Sequence, residues 1–150
     1  MSKIEAWLIC TVLMGALAGC VSDQPTPLTP SEIGDLSVVV TLEFGDRSNE
    51  TTSLSDRLEN GSLTFDPVLV APGTSAYRVM ESLQIRENFT MEVTFYTFGP
   101  YIDTIDGVAG DDATYWSLEQ NGTAATVGAG DLLIEADTAL AWVLADASAY

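Results

Sequence analysis

The chain has 150 residues, 47% of them hydrophobic, so it has room for one folded domain and is too apolar to be disordered. Acidic residues outnumber basic ones by 22 to 5, the formal net charge is −17, and histidine is absent. Such a surface repels phosphate backbones, which argues against nucleic acid as a partner. The excess of acidic residues favours a protein from a saline environment, and the alternative is an acidic extracellular protein.

Residues 1–19 are predicted to be a secretory signal peptide. Lys3 precedes an almost unbroken apolar run from Ala6 to Cys20. This run is shorter than the roughly 20 residues that a membrane-spanning helix needs, so a cleaved leader is favoured over an uncleaved N-terminal helix.

The leader ends in Leu17-Ala18-Gly19-Cys20, which resembles the lipobox of prokaryotic lipoproteins. The resemblance implies cleavage before Cys20 and a diacylglyceryl group on its sulfur, and we expect an archaeal source. Two lipid chains would anchor the protein stably, which predicts a location on the extracellular face of the cell membrane. Residues 20–34, rich in proline and threonine, are predicted to form an extended tether.

Residues 35–146 are predicted to form one domain that begins with strands. Apolar and other residues alternate from Leu36 to Phe44, as in a strand with one buried face. A long polar loop follows, from Gly45 to Asn60. A second strand, from Ser62 to Val70, is interrupted by Pro67 and is therefore expected at a sheet edge.

One helix is predicted, from Ser75 to about Ile85, with Thr74 as its N-cap. Its apolar stripe must pack on a sheet and comprises Ala76, Val79, Met80 and Leu83. Further strands are expected at Phe89–Phe95, Tyr101–Asp106, Ala113–Gln120 and Ala139–Leu144. This order predicts an α+β fold, a small β-grasp-like domain whose mostly antiparallel sheet packs on one helix.

Each of the four asparagines begins an Asn-x-Ser/Thr triplet, more often than chance would give, so surface N-glycosylation is predicted at some of them. Two are also Asn-Gly pairs, which hairpin turns favour for their own reasons. The four are Asn49, Asn60, Asn88 and Asn121.

The second half of the chain has a recognisable series of motifs: Gly99 to Val108, Tyr115-Trp116, Asn121-Gly122 and Val127-Gly128-Ala129. Over about residues 36–145 the chain resembles a family of domains of unknown function that is similar to the C-terminal β-domain of transcobalamin and intrinsic factor. Glu135-Ala136-Asp137 departs from the Gly-Asp that the family has before its last strand, so a different turn geometry is expected there.

The resemblance implies a fold in which one face lies over a corrinoid that a separate helical domain holds. That helical domain is not found in this sequence, so high-affinity cobalamin capture by this domain alone is not expected. The candidate ligand-facing residues are Phe98, Tyr101, Tyr115 and Trp116. For Trp116 the competing interpretation, which we favour, is that its ring fills the core.

The residue types argue against catalysis. Histidine is absent and both cysteines, Cys10 and Cys20, fall in the leader region, so the usual bases and nucleophiles are missing. No metal site is predicted, because solvated loop acids are favoured over a calcium cage for Asp103, Asp106, Asp111 and Asp112.

The sequence therefore predicts a cell-surface lipoprotein with a non-enzymatic module that captures a corrinoid, a glycan or another nutrient. Cobalamin is a candidate ligand, and no cofactor is expected. The alternative is a structural or adhesive surface protein that contacts other proteins or the cell coat.

Overall fold

The computed structural model describes residues 24–149. The predicted signal peptide, the lipidation site Cys20 and residues 20–23 of the predicted tether lie outside this range. Within it, one α-helix and eleven strands are found. They are β1 (Leu36–Glu43), β2 (Ser62–Thr64), β3 (Val68–Val70), β4 (Thr74–Ser75), α1 (Ala76–Glu87), β5 (Met91–Tyr96), β6 (Gly99–Ile105), β7 (Val108–Ala109), β8 (Thr114–Gln120), β9 (Thr123–Ala124), β10 (Leu133–Ile134) and β11 (Thr138–Asp146).

The largest sheet is built around β1. Strands β2 and β3 pair antiparallel with β1 on one side, and β11 pairs parallel with it on the other. Antiparallel pairing then continues from β11 to β8 and from β8 to β9. Two smaller antiparallel sheets, β10–β4 and β5–β6–β7, complete the domain. The prediction of an α+β fold with mostly antiparallel sheets and one helix is confirmed.

The alternation along β1 is confirmed by burial, because Val38, Val40 and Leu42 are fully buried on one face. The predicted strand from Ser62 to Val70 is instead two strands, β2 and β3, which pair with different halves of β1. Pro67, which has no N–H to donate, lies in the break between them.

The helix begins one residue later than predicted. Ser75 is the N-cap, since its side chain accepts a hydrogen bond from the Arg78 backbone N–H, whereas the Thr74 hydroxyl donates to the Ala71 carbonyl. The left-handed backbone of Asn88, at φ 56°, terminates the helix after Glu87. The whole predicted stripe is buried: Ala76, Val79, Met80 and Leu83. Among residues 24–149 no helix has the length and apolar character needed to cross a membrane.

The described part of the predicted tether is docked on the domain. The Arg78 guanidinium donates to the carbonyls of Thr26 and Pro27 and to both carboxylate oxygens of Glu32. Leu28 packs against the core. An extended spacer is predicted for these residues, but the segment from Thr26 onward is held by Arg78, a partly buried arginine whose contacts the local sequence does not reveal.

Three aromatic rings dominate the middle of the core. Trp142 on β11 is 2% exposed and Phe44 is 1% exposed. Trp116 on β8 packs edge-on against Phe44, with the ring centroids 5.3 Å apart. Trp116 therefore lies in the core, as the favoured interpretation held, but it shares that role with Trp142.

Candidate ligand-binding cleft

A cleft of about 340 Å³ opens between the β5–β6 hairpin, β8 and the segment that follows β9. The hairpin contributes Phe98 and residues 100–102, β8 contributes residues 115–118, and the buried Trp142 also lines the cleft. The third wall consists of small residues: Ala124, Ala125, Val127, Gly128 and Ala129. Small side chains on one wall leave room for a ligand between them and the aromatic rings opposite.

All four residues proposed from sequence line this one cleft, although they come from separate segments of the chain. Phe98 is 63% exposed at the rim, Tyr101 and Tyr115 are half-buried, and Trp116 is only 4% exposed. The Trp116 indole Nε1 donates to the Val108 carbonyl at 2.9 Å. Trp116 is thus a fixed core residue that borders the cleft, and Phe98 is the ring best placed to contact a ligand.

Tyr96 supports the rim and was not singled out from the sequence. Its ring stacks on Phe98 with the centroids 5.0 Å apart and the planes 11° apart, and it meets Tyr101 edge-on at 6.4 Å. The signal for it is the aromatic run Phe95-Tyr96-Thr97-Phe98, in which Tyr96 and Phe98 share a side of the hairpin. Stacking of this kind restricts the Phe98 ring before any ligand arrives.

No charged side chain lines the cleft. This is notable in a chain with a net charge of −17. Burial raises the pKa of the Tyr101 phenol, and the nearby Asp103 carboxylate raises it further, so the phenol stays neutral. The cleft therefore suits an uncharged ligand with an apolar face, since nothing in its lining neutralises an anion.

The acidic residues beside the cleft have structural partners. Asp106 is fully buried and accepts hydrogen bonds from the backbone N–H groups of Thr52, Ser53 and Leu54, so its prediction as a solvated loop acid is wrong. Asp103 accepts from the Thr94 hydroxyl. Asp111 accepts from its own turn and from Arg47, whereas Asp112 is exposed. Within the described residues no cluster of three potential metal ligands forms.

The four asparagines of the predicted glycosylation triplets are all exposed. Three of them adopt the left-handed backbone conformation, with φ of 51° at Asn60, 56° at Asn88 and 50° at Asn121. Asparagine tolerates this conformation better than most residues do. The backbone conformation therefore explains why asparagine occurs at three of the four positions. It does not explain the serine or threonine two positions later in each triplet. Glycosylation stays a prediction.

The structure is that of a small α+β domain with an uncharged cleft lined by aromatic and small side chains. Residues 73–145 match the model of a domain of unknown function (DUF4430), to which this part of the chain is similar. The recognition made from sequence is thereby confirmed. The match begins just before α1, whereas the resemblance was drawn from about residue 36.

Two solved structures are similar to the chain. Haptocorrin in complex with Cbi is 26% identical, with a TM-score of 0.51, and the match covers 84% of this chain but 28% of that chain. A "putative metal binding protein" from Ruminococcus gnavus is 18% identical, with a TM-score of 0.49, over 75% of this chain and 98% of that one. No match is found among curated proteins. Haptocorrin belongs to the transcobalamin family, which agrees with the resemblance seen in the sequence.

Proposed function

We propose that this chain is a lipid-anchored cell-surface protein whose domain binds a small uncharged ligand without chemically changing it. The observation that carries the proposal is the convergence of Phe98, Tyr101, Tyr115 and Trp116 on one cleft with no charged lining residue. Aromatic and small apolar side chains around a few polar groups are the usual composition of a small-molecule site.

The candidate ligand class is a molecule with a flat apolar face, and a corrinoid fits because of the similarity to haptocorrin in complex with Cbi. A glycan or another nutrient is also a candidate ligand, since sugar rings stack on aromatic side chains as well. The chain spans 28% of haptocorrin, so the cleft corresponds to part of that protein's structure. We therefore propose modest affinity unless a second protein covers the open side of the ligand.

We also infer a β-grasp arrangement for the domain. Its main sheet has the order β2-β1-β11-β8-β9, with the first long strand and the last one parallel and adjacent. The helix α1 follows the first strands in the chain and packs near β3. This order supports the inference, since a parallel pair needs a long crossover connection and α1 lies in the connection between β1 and β11.

Anchoring and catalysis complete the proposal. The lipobox resemblance supports lipidation at Cys20 and an extracellular location, and residues 21–25 supply the link to the domain. The absence of histidine throughout the sequence, together with cysteines confined to the leader region, supports binding without catalysis. Exposure of Asn49, Asn60, Asn88 and Asn121 supports glycosylation at some of these sites.

Titration of the full mature chain, with Cys20→Ser for solubility, tests the binding function against corrinoids and a glycan panel. Phe98→Ala should weaken saturable binding about tenfold, because one stacked ring contributes about 1 kcal/mol or slightly more. Phe95→Ala is the matched control: Phe95 is 58% exposed in the same hairpin but lies outside the cleft lining. Equal effects of the two changes, or no saturable ligand, would count against the cleft and favour the adhesive alternative.

A further inference from the structure

A second groove, of about 470 Å³, lies between α1 and β5 and is bordered by the first described residues of the chain. Gln24, Pro25 and Thr26 form one side, and Tyr77 and Phe95 belong to the other. The Thr26 backbone N–H donates to the Glu81 carboxylate at 3.2 Å. The chain therefore enters the domain at this groove.

This entry point is fixed to the body of the domain. Glu81 is 7% exposed and is paired with Arg78, which also holds the Thr26 and Pro27 carbonyls and the Glu32 carboxylate. An arginine that joins these four groups cannot release the segment without exposing partly buried polar atoms. The segment from Thr26 onward is therefore not a free tether, and the chain leaves the domain toward its N-terminus at the groove.

Only four peptide units separate Cys20 from Gln24. At no more than about 3.5 Å per residue, they span at most about 14 Å. A lipidated Cys20 has its sulfur in the interfacial layer of the membrane, because its acyl or isoprenoid chains occupy the hydrocarbon. The groove must then lie within about 14 Å of that layer.

The surface next to the groove suits this position. The tip of the β5–β6 hairpin, residues 95–98, carries three exposed aromatic rings: Phe95 at 58%, Tyr96 at 49% and Phe98 at 63%. Phe95 borders the groove and meets the Tyr77 ring edge-on at 6.0 Å. The sequence from Val93 to Ile102 has no charged residue. Aromatic rings favour the membrane interface, and an uncharged segment approaches lipid headgroups without the repulsion that the rest of this acidic surface meets.

We propose that the hairpin tip, residues 95–98, seats on the lipid surface beside the anchor and fixes the orientation of the domain. The proposal rests on lipidation of Cys20 in the proposed function. It assigns to the tip a partner of defined chemistry, the interface of a bilayer, and it places the rim of the ligand cleft close to the membrane. Phe98 then contacts ligand on one side of the hairpin while Phe95 faces lipid on the other.

The test uses the full lipidated chain in phosphatidylcholine vesicles that contain brominated lipid, with tryptophan placed at the tip by Phe95→Trp. Leu69→Trp is the control, because Leu69 is 54% exposed on β3 and does not border the groove. The parent chain gives the background from Trp116 and Trp142, which are both buried. We expect the added emission of Phe95→Trp to be quenched at least about twofold more than that of Leu69→Trp. If the mass confirms the lipid on Cys20 and the two variants are quenched equally, the seating of the hairpin tip is overturned. The proposed lipid anchor is unaffected by that result.

Amide hydrogen exchange of the unsubstituted chain provides a second measurement that needs no variant at the tip. Residues 95–98 should exchange more slowly in the vesicle-anchored chain than in the Cys20→Ser chain in solution. Protection that appears without vesicles at raised protein concentration would instead assign the tip to a contact between copies and overturn the proposal. A mature chain with no lipid on Cys20 would overturn both this inference and the anchored function, which distinguishes the two failures.

Discussion

The Asp106 carboxylate accepts a hydrogen bond from the Leu54 backbone N–H at 2.9 Å, although 52 residues separate them in sequence. The same carboxylate accepts from the N–H groups of Thr52 and Ser53 and from the Thr52 hydroxyl. Leu54 is fully buried. A single acid therefore fixes the long loop between β1 and β2 to the turn after β6 and allows Leu54 to enter the core.

Replacing this acid should destabilise the domain markedly. Asp106→Asn keeps a side chain that tolerates the left-handed backbone, at φ 48°, but removes the charge and one acceptor atom. We expect a loss of about 2–3 kcal/mol in the free energy of unfolding, because hydrogen bonds to a buried charged group are among the stronger ones. Chemical denaturation measures this loss. Asp112→Asn, at an exposed position of the next acidic turn, should change stability little, and similar losses for the two would contradict the role given to Asp106.

The pairing of Glu32 with Arg78 predicts a pH dependence. The hydrogen bond from Arg78 is the main reason that the pKa of the Glu32 carboxyl falls from 4.5 to about 2. A carboxyl whose folded-state pKa is lowered stabilises the fold above its unfolded pKa and loses that contribution as the pH falls toward the folded value. The stabilisation should therefore be complete above pH 5 and disappear between about pH 4.5 and 2.

Comparison of the parent with Glu32→Gln isolates this contribution from that of the other acids. We expect a difference of about 1–2 kcal/mol near pH 6, reduced from the full pKa shift because the pair is partly open to solvent. The difference should shrink toward zero near pH 2. Denaturation midpoints across this range provide the measurement, and a difference that stays constant with pH would contradict the assignment.

Substitutions of Asn88 can distinguish its structural role from a role in glycosylation. It ends α1 with φ 56°, and its backbone N–H donates to the Gln84 carbonyl. Asn88→Ala should cost about 1 kcal/mol, because a Cβ residue without a local polar side chain is strained in this conformation, whereas Asn88→Gly should be close to neutral. Thermal unfolding of unglycosylated protein measures both changes. If the protein is glycosylated at this site, both variants lose the same mass, so mass and stability report separate functions of one residue.

The sequence predicted the parts of the fold that depend on local periodicity. Alternation along β1, the apolar stripe of α1 and the Asn121-Gly122 turn each follow from the spacing of residue types, and the structure has all three. The N-cap was misplaced by one residue because Ser75 and Thr74 are equally suitable by type. The structure decides between them, because the Thr74 hydroxyl donates to the Ala71 carbonyl whereas the Ser75 side chain accepts from the Arg78 backbone N–H.

The site was predicted through the resemblance and the residue types rather than through geometry. The four predicted residues meet because β6 and β8 approach each other. The spacing of these residues in the sequence does not predict that approach. The docking of Thr26 was missed for a similar reason. It depends on Arg78, whose side chain looks like an ordinary solvent-facing arginine when only α1 is considered.

Gly34 provides a test of how tightly the entry segment is docked. A Cβ at Gly34 would lie 2.6 Å from the Ala71 Cα, and backbone at that distance cannot move aside as a flexible side chain does. The Ala71 backbone N–H also donates to the Glu32 carbonyl at 2.8 Å, so Gly34→Ala should push the segment away from the domain. We expect a loss of about 1–3 kcal/mol, measured by denaturation.

The Gly34→Ala change should also remove the stabilisation that the Glu32–Arg78 ion pair provides, since Glu32 lies on the displaced segment. In a double-mutant cycle, Glu32→Gln should cost much less in a Gly34→Ala background than in the parent, with a coupling of about 1 kcal/mol. Gly128→Ala is the control, because a Cβ there would meet nothing closer than 3.9 Å. Additive effects of Gly34→Ala and Glu32→Gln would show that Arg78 holds Glu32 whatever the position of the segment.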